Sequence, residues 1–552
     1  MKRIFSWVLT TLKTYSLIER VLSVVFIVVF AYAMFMLSSA VPSVSNKTYT
    51  EGLVGKVGCI NPVLADLNEV DRDVSRLIFS GLVKYDPVTK DFKPDLADFT
   101  LSDDKLLYTF TVKDGVKWHD GEAFTAQDVY FTYHDVIQHE DFQNPIIKAA
   151  FDGLVIEKLN DKTVTFRLKS PNSYLISDMV TGILPYHIFK NKEVKDLTNC
   201  TDFNRNPVGA GPFKMGDYKI TSDNAIKIVF DRFDDFYAQK SNISQIVFLI
   251  FANNDLLIKN IADLDAVPKA GYELSETLKV DPVMKVTSYT LPQYTGLFFN
   301  TDEMFLGKKK VRLALAKAID QDELVAKFPG YDPVKIGIFE ADLSGKFYKY
   351  DILTSGKYLD DEGFKLKKGD QYRKNKEGEE LSVQLLIRKY TQNQKLDDQM
   401  TQISSYISQK WLELGVKTEV VALESGDFND AIKAGSYGAL IAGESFSYNM
   451  DLFSFWHSSQ IAKREDGTGG LNFSNYSNPS TDILIESLRE VSGKGKKTDR
   501  LAQIVNTFRE DMPGIFLFRP MYYYISTQEF SVPELDGMVF SADRFSFLLG
   551  KF

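Results

Sequence analysis

An uncharged apolar segment of 21 residues near the N-terminus constrains this chain more than any other feature. It runs from Val21 to Val41 with the sequence VLSVVFIVVFAYAMFMLSSAV. At about 1.5 Å of rise per residue, a helix of this length spans the roughly 30 Å hydrocarbon core of a bilayer. Basic residues stand at positions 2, 3, 13 and 20, and only Lys47 follows closely. The positive-inside rule therefore predicts that residues 1–20 are cytoplasmic and that the body lies outside.

A cleaved signal peptide is the alternative interpretation of this segment, because signal peptides also carry an apolar region, of about 7–15 residues. The segment is longer than that, and no clear small-residue cleavage site follows it directly. We therefore expect an uncleaved single-pass anchor over residues 21–41 and a polar stalk over residues 42–52. Under either interpretation the remaining chain works in the periplasm or at the cell surface.

The composition is that of a large folded protein that does not bind nucleic acid. The chain has 552 residues, of which 44% are hydrophobic and 25% charged, so two or three lobes are expected. Its formal net charge of -9 gives no electrostatic attraction for phosphate backbones.

Cysteine and histidine usage gives no indication of a metal or redox site. The two cysteines, Cys59 and Cys200, do not form a CxxC pair. A disulfide between them is one interpretation, and two unpaired thiols are the interpretation that we favour. His134 and His139 are five residues apart and so do not share one helical face. We therefore predict no metal site and no cofactor.

Strand-like and helix-like patterns alternate along the body, which predicts a mixed α/β (α+β) fold. Residues 108–113 and 163–169 alternate polar and apolar side chains with the period of a strand. Residues 311–319 and 402–412 instead carry the apolar stripe of an amphipathic helix.

Several short motifs predict turns and helix ends. Asp120-Gly121 is a tight-turn pair, and Thr125 can cap the helix that follows it. The segment PVGAGPF at 207–213 allows two backbones to approach closely, because glycine has no side chain. A cap at Asp320 is expected to form a capping box with Glu323.

Enzyme signatures are missing from the sequence. The segment GESFS at 443–447 lacks the second glycine of a nucleophile elbow. The segment GKGKKT at 493–498 fails as a phosphate-binding loop, because Glu490 stands where the first glycine is required. We therefore expect no catalytic residues.

These motifs, in their order along the chain, resemble the extracellular solute-binding proteins of family 5. That family comprises oligopeptide-, dipeptide- and nickel-binding components of ABC importers. The similarity covers roughly residues 53–550. The matching segments are INP at 60–62, LIFSGLVKYDP at 77–87, WHDGEAFTAQDVYFTY at 118–133, VGAGPF at 208–213, VRLALAKAIDQDELV at 311–325 and FSNYSNPSTD at 473–482.

The resemblance implies a periplasmic-binding-protein-like type II clamshell with an additional inserted lobe. Its expected units are a discontinuous lobe I (53–75, 207–295 and 515–552), an inserted lobe II (76–206) and lobe III (296–514). A ligand would lie extended between the lobes, which close around it by a hinge. The implied partners are a peptide or peptide-like ligand, the permease and ATPase subunits of an ABC importer, and the membrane through residues 21–41. A monomer is expected.

The resemblance also indicates candidate ligand contacts. Many peptide binders of the family carry a WxADxxDP-like segment whose first acid holds the amino terminus of the ligand. In the corresponding segment here, Asp451 matches the second acid and Tyr448 stands where the amine-binding acid is expected. Glu444 or Asp451 is the candidate replacement, although Asp451 is equally well explained as a loop cap. Tyr448 and Phe446 are candidates for stacking on ligand side chains.

Two further candidates complete the set. Arg388 ends a strand-like run and is a candidate partner for a ligand carboxylate, with an ordinary surface arginine as the alternative. Asn61 belongs to the matching segment at 60–62. Because the amine-binding position is altered, a non-peptide ligand such as a nickel chelate, haem or oligosaccharide is the alternative within this fold. A surface receptor without a transport role is the alternative outside it.

Overall fold

The computed structural model describes residues 47–65, 68–198, 202–333, 347–391, 394–462, 470–491, 494–532 and 534–551. The predicted cytoplasmic segment (1–20) and the predicted membrane anchor (21–41) lie outside the described residues. Within the described ranges, no helix combines the length and the apolar character that crossing a bilayer requires.

The described residues alternate strands and helices, as the sequence predicts. The strands are β1 (Lys47–Val54), β2 (Val83–Asp86), β3 (Asp91–Pro94), β4 (Ala97–Leu101), β5 (Leu107–Val112), β6 (Val155–Lys158), β7 (Thr163–Arg167), β8 (Phe213–Ile220), β9 (Ile226–Arg232), β10 (Ile243–Phe251), β11 (Ala266–Ala270), β12 (Met284–Thr290), β13 (Gln293–Phe299), β14 (Tyr331–Pro333), β15 (Ser382–Arg388), β16 (Lys417–Leu423), β17 (Ala439–Ser445) and β18 (Gly514–Thr527). The α-helices are α1 (Glu69–Ile78), α2 (Ala126–Tyr130), α3 (Pro145–Phe151), α4 (Leu175–Asp178), α5 (Tyr186–Phe189), α6 (Asn254–Lys259), α7 (Tyr272–Leu278), α8 (Lys309–Lys317), α9 (Gln321–Ala326), α10 (Ile352–Asp361), α11 (Gln394–Glu413), α12 (Ser425–Ala434), α13 (Phe453–Trp456), α14 (Pro479–Glu490), α15 (Lys494–Asp511) and α16 (Arg544–Lys551).

The largest sheet is mixed and has 12 strands. Ten of them follow the order β16-β15-β17-β13-β18-β11-β1-β10-β9-β8. Strands β12 and β14 also pair with β18, beside this path. Strand β1 pairs in parallel with β10, whereas β13 pairs antiparallel with both β17 and β18. The prediction of a mixed α/β fold is therefore confirmed.

The position of β1 corrects the predicted stalk. Residues 47–52, assigned to a stalk over 42–52, belong to a strand that lies between β10 and β11 in the sheet. Alternate side chains of this strand are buried, and Tyr49 and Glu51 are fully enclosed. The polar, Ser/Thr-rich composition concealed the strand, because Thr48 is exposed and Thr50 is only partly buried. The rest of the predicted stalk, residues 42–46, lies outside the described residues.

Two large hydrophobic cores divide the molecule. The first includes residues of β1, α1 and the four-stranded sheet β4-β5-β7-β6, together with residues of β8, β9, β10 and α16. The second includes residues from Tyr294 to Phe518. The predicted boundary at 295/296 falls inside β13, and the one at 514/515 falls at the start of β18. These strands therefore continue from one half of the molecule into the other, and the lobe boundaries stay a prediction.

The two glycines of the 207–213 segment allow the close approach that the sequence predicts. A Cβ atom on Gly209 would lie 1.9 Å from the backbone oxygen of Ile78, and one on Gly211 would lie 2.6 Å from it. The Gly211 backbone N donates to this same oxygen over 2.8 Å. The chain therefore returns from the four-stranded sheet directly against the C-terminal end of α1.

The predicted caps are found, with one correction. The side chain of Thr125 caps α2 in a complete capping box with Asp128, and Asp320 caps α9. The predicted capping-box role of Glu323 is wrong. Its carboxylate instead accepts a hydrogen bond from the Tyr406 hydroxyl over 3.1 Å and lies 3.0 Å from the Lys410 ammonium. Both partners lie on α11, which packs beside α9, and they engage the Glu323 carboxylate in place of the backbone N–H of the capping box.

The interpretation that we favoured for the two cysteines, unpaired thiols, is also wrong. Cys59 is disulfide-bonded, so it is not the free thiol that the sequence analysis favoured. Cys200 lies outside the described residues. A disulfide agrees with the predicted extracytoplasmic location, because disulfides persist in oxidising compartments.

A buried ion cluster joins the first strand, the first helix and the last helix. Arg544 on α16 is 1% exposed, and it donates to both carboxylate oxygens of Glu51, over 2.9 and 2.6 Å. The same guanidinium lies 2.9 Å from a carboxylate oxygen of Asp73 on α1. Burial raises the pKa of Asp73 to about 6, although the positive charge of Arg544 opposes that shift. The cluster therefore holds three buried charges that depend on one another.

Replacing Arg544 with leucine should destabilise the fold by about 3–5 kcal/mol, because two buried carboxylates would lose their cation. Urea unfolding of the full-length chain in detergent measures this loss. The matched control is Asp114→Asn, which breaks an exposed ion pair with Lys162 and should change stability by less than about 1 kcal/mol. Equal unfolding midpoints for the two variants would contradict the role given to the cluster.

Candidate functional site

A cavity of about 780 Å³ lies between the two halves of the molecule. One wall consists of residues between positions 62 and 182, and the other of residues between positions 443 and 489, together with Phe540. Both walls carry aromatic side chains and hydrogen-bonding groups. Apolar surface with a few polar groups in an enclosed space is the usual composition of a small-molecule site.

The two walls are in direct contact around this cavity. The backbone N of Ser173 donates to the backbone oxygen of Arg489 over 2.6 Å. The Lys497 ammonium lies 4.5 Å from the ring centre of Tyr174. The described conformation is therefore closed.

Helix α1 builds the centre of the first wall. Its N-terminus is capped by Asn68, whose side chain accepts a hydrogen bond from the backbone N of Val70. Arg72, Ser75 and Arg76 then line the cavity, because residues three and four apart share one face of a helix. The ion pair of Asp73 with Arg544 fixes the rotation of the helix and therefore which face meets the cavity.

Tyr448 contacts several groups that belong to the opposite half of the molecule. Its hydroxyl accepts a hydrogen bond from Nη2 of Arg76 and donates one to Oδ1 of Asp543 over 2.5 Å. Its ring centre lies 4.9 Å from the ring centres of both Tyr85 and Phe540. Tyr448 therefore links the two halves at the edge of the cavity, and stacking on a ligand stays a prediction.

Asp451 lines the cavity, but its carboxylate is engaged within the protein. Arg489 donates to Oδ2 of Asp451 from Nε over 2.9 Å and from Nη2 over 2.5 Å. The other carboxylate oxygen accepts from the backbone N of Phe453 over 3.1 Å, which orders the loop just before α13. The loop-cap interpretation thus describes part of what Asp451 does, and its role in ligand binding stays a prediction.

Glu444 contributes to the wall with a carboxyl group that is nearly all enclosed. The residue is 3% exposed, and Oε2 accepts a hydrogen bond from the Tyr294 hydroxyl. Its other oxygen, Oε1, is buried without a hydrogen-bond partner. Burial raises the pKa of Glu444 to about 8, and the Tyr294 bond opposes that shift. The group is therefore mainly protonated at neutral pH.

Phe446 belongs to an aromatic part of the second wall. It lies beside Phe455, with ring centres 4.7 Å apart, and beside Tyr294 at 6.3 Å. Phe446, Phe455 and Phe473 all line the cavity. Phe446 itself is only 2% exposed, whereas Phe455 and Phe473 are partly exposed. Contact between Phe446 and ligand side chains stays a prediction.

Two of the predicted candidates lie outside the cavity wall. Arg388 is exposed at the end of β15, with its guanidinium 5.0 Å from the ring centre of Tyr390. Asn61 is buried, and its side-chain oxygen accepts a hydrogen bond from the backbone N of Val63 over 3.2 Å. Four of the six candidates therefore meet at the cavity, and these two do not.

Three arginines that sequence reasoning missed line the cavity. Two of them, Arg72 and Arg76, are four residues apart on α1, and this spacing was a signal that could have found them. Arg489 had no such signal, because its partner Asp451 is 38 residues away in the sequence.

Metal coordination is not suggested by the described part of the chain. There, no group of three or more His, Cys, Asp or Glu side chains could hold an ion. His119 serves the fold, because its Nε2 lies 3.1 Å from the backbone oxygen of Gly211. Burial lowers the pKa of His119 to about 4. The predicted absence of a metal site stays a prediction for the whole chain.

Comparison with known proteins identifies one family. The family described as bacterial extracellular solute-binding proteins, family 5 Middle, matches residues 91–463. The oligopeptide-binding protein AppA of Bacillus subtilis is 26% identical over 487 residues, which cover 85% of each chain.

Solved structures show the same fold. AppA from Bacillus subtilis in complex with a nonapeptide superposes with a TM-score of 0.67 at 23% identity, covering 89% of this chain and 96% of that one. NikZ from Campylobacter jejuni in complex with Ni(L-His) gives a TM-score of 0.66 at 24% identity, covering 88% and 94%.

The substitution Glu444→Gln should remove a pH dependence of stability. Because folding raises the pKa of Glu444 from 4.5 to about 8, its stabilising contribution is complete below pH 4.5 and is lost as the pH rises through 8. The variant should match the wild type near pH 4.5 and exceed it at pH 9 by a few kcal/mol, on the order of 1.4 per pKa unit.

Urea unfolding of both proteins from pH 4.5 to pH 9 gives this difference directly. The control is Glu419→Gln, an exposed glutamate on β16, which should leave the pH profile unchanged. If the free energies of unfolding of the wild type and Glu444→Gln differed by the same amount at every pH, the raised pKa of Glu444 would be refuted.

Proposed function

Because this chain belongs to the bacterial extracellular solute-binding proteins of family 5, we propose that it captures a peptide or peptide-like solute between its lobes and delivers it to an ABC importer. The family supplies the solute-binding components of ABC transporters. The proposal covers the ligand and the delivery step. It assigns the chain recognition by enclosure, with no bond broken, and therefore no catalytic residue.

The observation that carries this proposal is the cavity between the two walls, which contact each other beside it. Its volume of about 780 Å³ lies within the roughly 300–1,000 Å³ of ligand pockets that enclose a small molecule. Aromatic side chains such as Phe453 and Phe455, which line the cavity and are only partly buried, offer apolar surface to ligand side chains. Polar side chains such as Asn172 and Ser454 offer hydrogen bonds to a peptide main chain. A short peptide needs both kinds of contact.

A non-peptide ligand is the second candidate, and one observation favours it. Tyr448 occupies the position at which the family resemblance places an amine-binding acid, and its hydroxyl already bonds to Arg76 and Asp543. One of the solved structures with this fold holds Ni(L-His). A compact chelate would use the same cavity without needing an acid at this position.

The apolar segment at 21–41 is part of the proposal as an uncleaved anchor, with residues 1–20 in the cytoplasm. A tether confines the binding protein near its permease and raises its effective concentration there, as a short linker does. A weak docking surface would then suffice for delivery. The body is proposed to act as a monomer on the outer side of the membrane.

Filling the cavity should abolish binding. Gly443 lines the cavity, and a Cβ atom there would meet only one atom within 4 Å, the backbone oxygen of Tyr294 at 3.8 Å. We expect Gly443→Trp to fold normally and to lose binding of short peptides by isothermal titration calorimetry. Gly426→Trp is the matched control, because that exposed glycine also has space for a side chain and lies outside the cavity wall.

The calorimetry should compare pooled short peptides with nickel–histidine and haemin. Binding of peptides by the wild type and by Gly426→Trp, but not by Gly443→Trp, is the expected result. Silence toward all peptides together with a response to another solute would replace the peptide proposal by the second candidate. Turnover of the peptides would contradict the non-enzymatic assignment.

Deleting residues 1–42 tests the tether. The truncated protein should bind peptides with unchanged affinity, because the cavity lies in the body, whereas uptake by cells should fall. Peptide uptake by cells that produce either form of the protein measures this effect. Uptake that is equal for both forms, at equal protein levels outside the cytoplasm, would refute the tether.

A further inference from the structure

One ion pair in the cavity wall has the composition of a ligand site that the protein itself fills. Asp451 and Arg489 both line the cavity. Oδ2 of Asp451 accepts hydrogen bonds from Arg489 Nε over 2.9 Å and from Nη2 over 2.5 Å. Its Oδ1 accepts from the backbone N of Phe453 over 3.1 Å. Both oxygens of the carboxylate are therefore engaged by groups of the chain.

An aromatic ring completes this arrangement. The guanidinium carbon of Arg489 lies 4.0 Å from the ring centre of Phe453, which is within the range of a cation–π contact. A carboxylate beside an aromatic ring attracts ammonium and guanidinium groups, because both supply negative charge to the cation. Asp451 and Phe453 thus form a cation site, and Arg489 is the cation that occupies it.

This cation site lies near the opposite wall of the cavity. The side chain of Asp451 is 11% exposed and that of Arg489 is 30% exposed. Tyr174 lines the cavity from the other wall. Burial raises the pKa of Tyr174, the charge of Asp451 raises it further, and the charge of Arg489 opposes the shift. Both charged groups are therefore close enough to the opposite wall to act on it.

The backbone of Arg489 is held as firmly as its side chain. Arg489 belongs to the last turn of α14, and its backbone oxygen accepts a hydrogen bond from the backbone N of Ser173 over 2.6 Å. Ser173 precedes Tyr174 on the opposite wall. To reach Asp451, a cationic ligand would have to displace a guanidinium from two charge-assisted hydrogen bonds and from an aromatic ring.

A second cation, Lys497, also acts on Asp451. Its ammonium lies 4.5 Å from the ring centre of Tyr174. Burial lowers the pKa of Lys497, and the charges of Asp91 and Asp451 oppose this shift. Lys497 therefore adds positive charge near the cation site, while Arg489 donates the hydrogen bonds.

We propose that Arg489 determines the ligand specificity of the cavity by occupying the cation site of Asp451 and Phe453, so that the protein takes peptides that bring no cationic side chain to this wall. The inference rests on the proposed function and adds the class of ligand and the residue that restricts it. Asp451, a candidate partner for a ligand ammonium, is then satisfied within the protein. A lysine side chain enclosed here would lose its hydration and find the carboxylate already bound.

The test compares two pools of short peptides on the full-length chain in detergent. Both pools have free termini and otherwise uncharged side chains, and they differ at one residue, which is norleucine in one pool and lysine in the other. That residue is placed at every position in turn. Isothermal titration calorimetry of the wild type should show binding about ten-fold or more weaker for the lysine pool.

The variant Arg489→Met opens the cation site. It should bind the lysine pool more tightly than the wild type does, because Asp451 and Phe453 can then hold the ligand ammonium. Two controls should keep the preference of the wild type for norleucine. Arg489→Lys retains a cation beside Asp451, and Arg167→Met removes an exposed arginine on β7.

The reciprocal variant Asp451→Asn tests the same pair from the other side. It leaves the Arg489 guanidinium without its carboxylate. Relative to the wild type, it should favour peptides with one glutamate over the same peptides with glutamine. Lys497 does not mask this shift, because its positive charge acts in the same direction.

Each outcome bears on a different statement. The absence of either shift in a folded variant would overturn the proposal and leave the ion pair as a contact that only stabilises the wall. Thermal melting of each variant verifies the fold, and where Arg489→Met does not fold, the glutamate shift in Asp451→Asn decides.

The wild type separates this inference from the proposed function. Equal binding of the norleucine and lysine pools by the wild type would overturn the role of Arg489 and leave the proposed function standing. If the wild type binds none of the peptides, the proposed function fails and this inference fails with it.

Discussion

The buried ion cluster of Arg544, Glu51 and Asp73 is the interaction on which the rest of the structure depends. It joins a strand in the middle of the sheet, the helix that follows it and the last helix of the chain, across 493 positions of sequence. A buried charge without its partner costs several kcal/mol, so these three elements can only assemble together. The orientation of α1 is the consequence that matters most for function.

Helix α1 uses its two faces for two purposes. Asp73 and Leu77 face the core, whereas Arg72 and Arg76 face the cavity. The chain leaves this helix toward the four-stranded sheet and returns at residues 209–211, against the backbone oxygen of Ile78. The segment between these points therefore begins and ends beside the C-terminal end of α1. This positions the part of the cavity wall that the segment contributes relative to Arg72 and Arg76.

The features that could be predicted from sequence are those that depend on neighbouring residues. The cap at Thr125 and the close approach at Gly209 follow from the chemistry of a few adjacent side chains, and the structure contains both. Strand β1 was missed because its burial is decided by β10, almost 200 positions away. In the same way, Tyr448 could be named as a site residue, but its partners Arg76 and Asp543 could not, since pairing across 372 and 95 positions leaves no local pattern.

The partners of Tyr448 suit a tyrosine better than the acid that the family resemblance led us to expect at this position. A phenol hydroxyl can accept a hydrogen bond from Arg76 and donate one to Asp543 at the same time, whereas an ionised carboxylate can only accept. An acid at position 448 would therefore face the buried carboxylate of Asp543 as a like charge. With tyrosine at this position, the negative charge of Asp543 is satisfied without any group from the ligand.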